Sequence, residues 1–137
     1  MLLLYLMSQN LRSGDRGFRI VSWNVRGLGD SDKCRIMREL FSNAKPNIFC
    51  IQESKLADFS LFKSQTFLPR HLSSSLVSVN VDGTRGGLIT AWDPTLFTLT
   101  SNSSNQFCLS SSLSCNASNY DFTITNVYRP SDHSLTT

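Results

Sequence analysis

The chain has 137 residues, enough for one domain or part of one. Forty per cent of them are hydrophobic, with nine Phe and two Trp, which excludes a wholly disordered chain. The net charge of +3 lies in residues 1–60, which hold nine Lys/Arg against six Asp/Glu, whereas residues 61–137 hold four of each; such an excess suits an anionic partner and equally a solvated helix face.

The N-terminal run Leu2-Leu3-Leu4-Tyr5-Leu6-Met7 has no preceding basic residue and ends at Ser8-Gln9-Asn10. It is short for a signal-peptide core and far too short to span a bilayer, and no other segment is apolar enough to cross a membrane. Residues 1–17 are therefore expected to be a poorly ordered leader or gene-boundary segment, with a signal peptide as the alternative. Phe18 to Asn24 reads as a strand, with β-branched Ile20 and Val21 and bulky Trp23. Gly27-Leu28-Gly29-Asp30 is a turn, and Asp30 or Ser31 can cap a helix over 32–43. In that helix Ile36, Met37, Leu40, Phe41 and Ala44 recur at helical spacing, with Lys33, Arg35, Arg38 and Glu39 mostly on the other side. Lys45-Pro46-Asn47 stops it, and Ile48-Phe49-Cys50-Ile51 reads as a buried parallel strand. The resulting β-α-β unit puts Asn24 and Glu53 at equivalent strand ends.

Further along the pattern becomes antiparallel. A helical turn is expected near Phe59–Phe62, a strand over 76–81, a turn over 82–87 and a strand over 88–92. Residues 95–105 can add an edge strand; Phe107, Leu109, Ser111 and Leu113 alternate as a half-buried strand does, and so do Phe122 and Ile124, which lead to Tyr128. Cys34, Cys50, Cys108 and Cys115 lack the CxxC spacing of a zinc or dithiol site, so a reducing intracellular setting is expected. Cys108 and Cys115, seven apart on one strand, would fall on opposite faces. Asn102-Ser103-Ser104 and Asn116-Ala117-Ser118 match a glycosylation pattern that Ser-rich chains produce by chance.

Three stretches carry the chemistry. Ser22-Trp23-Asn24-Val25-Arg26-Gly27, Ile51-Gln52-Glu53-Ser54-Lys55 and Asn126-Val127-Tyr128-Arg129-Pro130 each set one polar side chain at the end of an apolar run. An amide, a carboxylate and a phenol gathered there can hold a hard divalent cation and a phosphate oxygen. Singly, each residue also reads as a loop-bonding Asn, a surface Glu or a core-closing Tyr.

With SWNVRGLGD, KPNIFCIQESKL, GTRGGLITAWDP and NVYRP in order, the sequence resembles the endonuclease/exonuclease/phosphatase superfamily. It looks most like the endonuclease module of non-LTR (LINE-type) retrotransposons, over about residues 18–134. The resemblance implies an α/β, DNase I-like fold, of which residues 18–137 would form the N-terminal part: one mixed β-sheet with flanking helices, half of a four-layer sandwich. It implies that Asn24, Glu53 and Tyr128 are catalytic, that Glu53 binds Mg²⁺ (or Mn²⁺), and that Asn24, Tyr128 and Arg26 meet substrate phosphate. Arg26 stands where the apurinic-endonuclease branch has an acidic residue; a guanidinium can grip phosphate but cannot ligate a metal, and a solvent-exposed Arg without a role is an equal reading. DNA is the implied partner and the nucleus the implied location.

The superfamily's Gly-Asp-x-Asn motif and distal Asp-His pair do not occur, so the chain reads as truncated and weakly active or inactive, with an uncovered sheet face open to self-association. Ser131-Asp132-His133 spells the terminal family motif too close to Tyr128, and is expected to be a helix cap rather than catalytic. His71, Trp92-Asp93 and the glycines Gly83, Gly86 and Gly87 are likewise expected to lie outside the chemistry, the glycines serving a hairpin. Two other readings stay open: a non-catalytic nucleic-acid-binding fragment using Lys33, Arg35 and Arg38, and a phosphoinositide phosphatase, sphingomyelinase or deadenylase branch.

Overall fold

The computed structural model describes residues 2–6, 18–56, 61–79 and 86–128. Strands β1 (Leu2–Leu6), β2 (Phe18–Asn24), β3 (Ile48–Gln52), β4 (Leu76–Val79) and β5 (Leu88–Trp92) form a mixed sheet in the order β1-β2-β3-β5-β4. β2 and β3 run parallel, so that Asn24 lies opposite Gln52, and every other pairing is antiparallel. Helix α1 (Ser31–Ala44) makes the β2–β3 crossover, as parallel neighbours require. Asp30 caps it by accepting from the Asp32 amide at 2.9 Å, and Lys45 ends it in the left-handed region at φ 51. Helix α2 (Leu61–Phe67) packs beside α1. No helix among the described residues is long and apolar enough to cross a membrane.

The mixed sheet with its helices is the one expected, and strands β2, β3 and β5 fall where the apolar runs place them. It does not stand alone. Strands β6 (Phe97–Ser104), β7 (Cys108–Cys115) and β8 (Asp121–Val127) form a second, antiparallel sheet. Phe97, Leu113 and Cys115 of that sheet pack on Phe18, Ile20, Ile48, Cys50 and Trp92 of the first. The face expected to lie open for self-association is therefore covered by the chain's own β6–β8. The physical reason is the alternation along β7, where Leu109, Ser111, Leu113 and Cys115 point inward and are buried. Cys108 and Cys115 do fall on opposite faces. Segment 95–105 supplies the edge strand expected of it, as β6 at one edge of this second sheet, whereas Leu2–Leu6, expected in a leader, pairs with β2.

The other face of the mixed sheet carries the helices. Val21, Phe49, Ile51, Ile89 and Ala91 meet Met37 and Phe41 of α1 and Phe67, Leu68 and Leu72 beyond it. Phe41 stands edge-on to Phe49 and Trp23, with ring centroids 4.0 and 5.2 Å apart. The apolar stripe expected on α1 is rotated. Cys34, Met37 and Phe41 are buried, whereas Ile36 and Leu40 are 50% and 47% exposed and border a shallow groove with Trp23. The strand expected to run to Val81 is described only to Val79, and residues 82–85 of the expected turn lie outside the described residues.

Candidate functional site

The ends of β2, β3 and β8 and the start of β5 meet at one end of the sandwich. Gln52 lies opposite both Asn24 and Leu88 in the strand registers, and Asn126, two residues before Tyr128, bonds across to Ile51 and Ile89. Beyond the strands the chain leaves regular geometry. Arg26, Glu53 and Lys55 take φ values of 55, 59 and 56, in the left-handed region that costs a non-glycine residue about 1–2 kcal/mol.

Main-chain bonds hold this rim in place. The Val25 amide donates to Gln52 O at 3.0 Å, Gly27 to Glu53 O at 2.7 Å and Leu28 to Ser54 O at 3.0 Å, which ties the β2 end to the β3 end. On the other side Ser54 donates to Gly87 O at 3.1 Å and Lys55 to Gly86 O at 2.9 Å. Gly87 has φ 93, and a Cβ there would strike Ser54 Oγ, so the close approach of these two segments needs glycine. Gly86 and Gly87 are thus rim-building residues, a role beyond that of a hairpin turn.

Asn24 is exposed at the end of β2, and its Oδ1 accepts from the Arg26 amide at 3.1 Å. Glu53 is 18% exposed at its side chain, with Lys55 Nζ 3.6 Å from Oε1. Tyr128 is buried on the facing sheet against Leu88 and Leu109, beside Gly86. Arg26 is exposed and its carbonyl accepts from Lys33 Nζ at 3.3 Å. Lys33, expected on the solvated face of α1 with Arg35 and Arg38, instead bends to the rim. Together with Trp23, Asn24, Arg26 and Gln52 it lines an open cleft of about 720 Å³. Asn24, Arg26 and Glu53 therefore share one rim, and Gly86 joins Tyr128 to it. Among the described residues no three His, Cys, Asp or Glu cluster as metal ligands.

A polar bridge between the sheets lies just beneath this rim. Asn126 is 2% exposed. Its Nδ2 donates to Ile89 O at 2.9 Å, to Ile51 O at 3.2 Å and more weakly to Thr90 Oγ1 at 3.3 Å. Its Oδ1 accepts from Gln52 Nε2 at 2.9 Å, and Gln52 also donates to Ser22 Oγ at 2.9 Å. Sequence reasoning missed this bridge, although an Asn breaking the apolar alternation of β8 and a Gln beside Glu53 were its only local signals.

The other residues set aside from the sequence stay apart from the rim. His71 Nε2 is 2.8 Å from Pro46 O, Trp92 packs between the sheets, and Asp93 holds the turn to Thr95. Ser131, Asp132 and His133 lie outside the described residues.

No family model and no curated protein matches this chain. Among solved structures it is similar to the human Nocturnin catalytic domain with bound sulfate anion, at a TM-score of 0.52 and 17% identity. The match covers 77% of this chain and 48% of the other, so the chain spans about half of that domain's length. The likeness is one of fold, and it accords with the mixed α/β, DNase I-like architecture expected from the sequence.

Proposed function

We propose that this chain is the N-terminal part of a Mg²⁺-dependent phosphodiesterase domain acting on nucleic acid, of the DNA-endonuclease type carried by LINE-type retroelements. The observation that carries the reading is the meeting of the Asn24, Glu53 and Tyr128 strand ends at one rim, beside a cleft lined by Arg26 and Lys33. The sulfate bound to the Nocturnin domain supports an oxyanion ligand for a fold of this kind.

The donor set fits a hard cation. Mg²⁺ sites use one or two carboxylates and take their remaining oxygens from water and phosphate, so the single partly shielded carboxylate of Glu53 suffices. When bound, Mg²⁺ (or Mn²⁺) offsets negative charge on the phosphate and on the leaving oxygen. Glu53 would hold the cation, in place of the Lys55 ammonium that now stands 3.6 Å from its Oε1. With its Oδ1 occupied by the Arg26 amide, Asn24 presents Nδ2 to a phosphate oxygen. The Tyr128 hydroxyl serves a second oxygen, while Arg26 and Lys33 neutralise phosphates that follow along the strand. The DNA substrate implies a nuclear setting.

The test measures Mn²⁺ binding by electron paramagnetic resonance and Mg²⁺-dependent nicking of supercoiled plasmid. Glu53→Gln should weaken Mn²⁺ binding by more than about tenfold and remove any nicking. Unchanged binding in Glu53→Gln would overturn the metal assignment.

A second reading has its own observation: Arg35 and Arg38 are exposed on α1 and are not among the residues that line the rim cleft. On that reading the chain binds nucleic acid without cleaving it. Salt-dependent DNA binding lost in Arg35→Ala/Arg38→Ala and indifferent to Glu53→Gln would favour it.

A further inference from the structure

We propose that Asn126 and Gln52 are positioning residues that set the rim, Asn126 by pinning the second sheet to the first directly beneath Glu53 and Tyr128. The inference deepens the phosphodiesterase reading and rests on it for the identity of the groups being positioned. Gln52 is the residue before Glu53, and Asn126, buried on the inward face of β8, stands two before Tyr128, which follows the strand and is buried as well.

The geometry is that of a lock with one fitting position. Asn126 reaches from β8 to carbonyls on two different strands, Ile51 of β3 and Ile89 of β5, which are register partners in the first sheet. Its amide orientation is fixed by chemistry: Nδ2 faces two carbonyl oxygens and Oδ1 faces the Gln52 amide, and a flip would set oxygen against oxygen. A buried amide without partners is costly, so the facing sheets are held at the spacing and register that satisfy both ends of the side chain. Glu53 leaves that anchored strand in a left-handed conformation it would not adopt unaided. The main-chain bonds from Gly27, Ser54 and Lys55 maintain the turn, and the Asn126 bridge fixes where it begins.

The experiment uses the full chain as wild type, Asn126→Ala, Glu53→Gln and the double variant. Amide exchange by NMR should rise about tenfold at Gly27, Ser54 and Lys55 in Asn126→Ala, while Asn116 and Asn119 at the opposite end keep their protection. Mn²⁺ affinity should fall about tenfold in Asn126→Ala but show no further fall when Glu53→Gln is already present. A purely structural role would lower thermal stability in both backgrounds without that dependence on Glu53.

Unchanged exchange at the three rim amides, or equal affinity losses in both backgrounds, overturns the proposal. If Glu53→Gln alone leaves Mn²⁺ binding intact, the metal reading fails and the exchange pattern still decides the positioning role. Should Asn126→Ala not fold, Gln52→Met cuts the same link while Asn126 keeps its two carbonyl partners. It should then give the same pattern at smaller amplitude, and an unaltered pattern refutes the lock.

Discussion

On its helix side the five-stranded sheet presents Val21, Phe49, Ile51, Ile89 and Ala91, all apolar, to α1, α2 and the segment after α2. On its other side the same strands present Ser22, Cys50, Gln52 and Thr90 among the apolar residues, facing Asn126 and Ser111 of the second sheet. The first interface is held by shape and hydrocarbon burial and makes few demands on register. The second has polar groups that must find partners, and where they do, at the rim end, the arrangement is specified to the residue. The two faces of one sheet thus divide the work between stability and placement.

The largest effect should come from the apolar face. Phe41→Ala removes a fully buried ring that stands edge-on to both Phe49 and Trp23. It should cost about 3–5 kcal/mol in urea denaturation, and a loss below about 1 kcal/mol would break the contrast.

The polar face should be sharpened by pH. Burial pushes the Cys50 thiol from 9.0 up to about 11, against a smaller opposing influence of its hydrogen bond with Thr90. The unfolded thiol ionises first, so this contribution is fully present below the unfolded value and is lost as pH rises through the folded one. The stability difference between wild type and Cys50→Ala should be flat at neutral pH and shift by about 2–3 kcal/mol across that window. A parallel pair of pH curves would show that the thiol is wetter than its burial indicates.

The smallest effect belongs to Ser111. Its Oγ is buried with no hydrogen-bond partner among the described residues, on the same inward face that gives Asn126 several. Ser111→Ala should be neutral or stabilise by about 1 kcal/mol in the same denaturation assay. A clear destabilisation would mean that the hydroxyl is satisfied after all.

How much of this was legible in the sequence follows from the range of each signal. The β2-α1-β3 unit was readable because β-branched runs, a capping Asp30 and a stop at Lys45-Pro46 all act locally. Asn24 and Glu53 could be placed at one rim because parallel strands joined by one helix must end on the same side. The strands of the second sheet were readable from their alternation, Ser111 included, but no local signal showed that they form a sheet of their own across the first. The rotation of α1 was missed because Cys34 rather than Ile36 takes the inward place, a choice made by the packing partner. The Gln52–Asn126 bond joins residues 74 apart and has no local periodicity to announce it.

The outer surface of the second sheet is laced by hydroxyl pairs, Ser110 with Thr125 at 2.9 Å and Ser112 with Thr123 at 3.0 Å. Such pairs are interchangeable, so a two-residue slide of β8 along β7 would keep alternation and re-form much the same lacing. That slide would carry the Tyr128 ring roughly 7 Å along the sheet. The wet side of the strand is therefore blind to its own alignment, and the buried side, with the Asn126 carboxamide in it, does the counting.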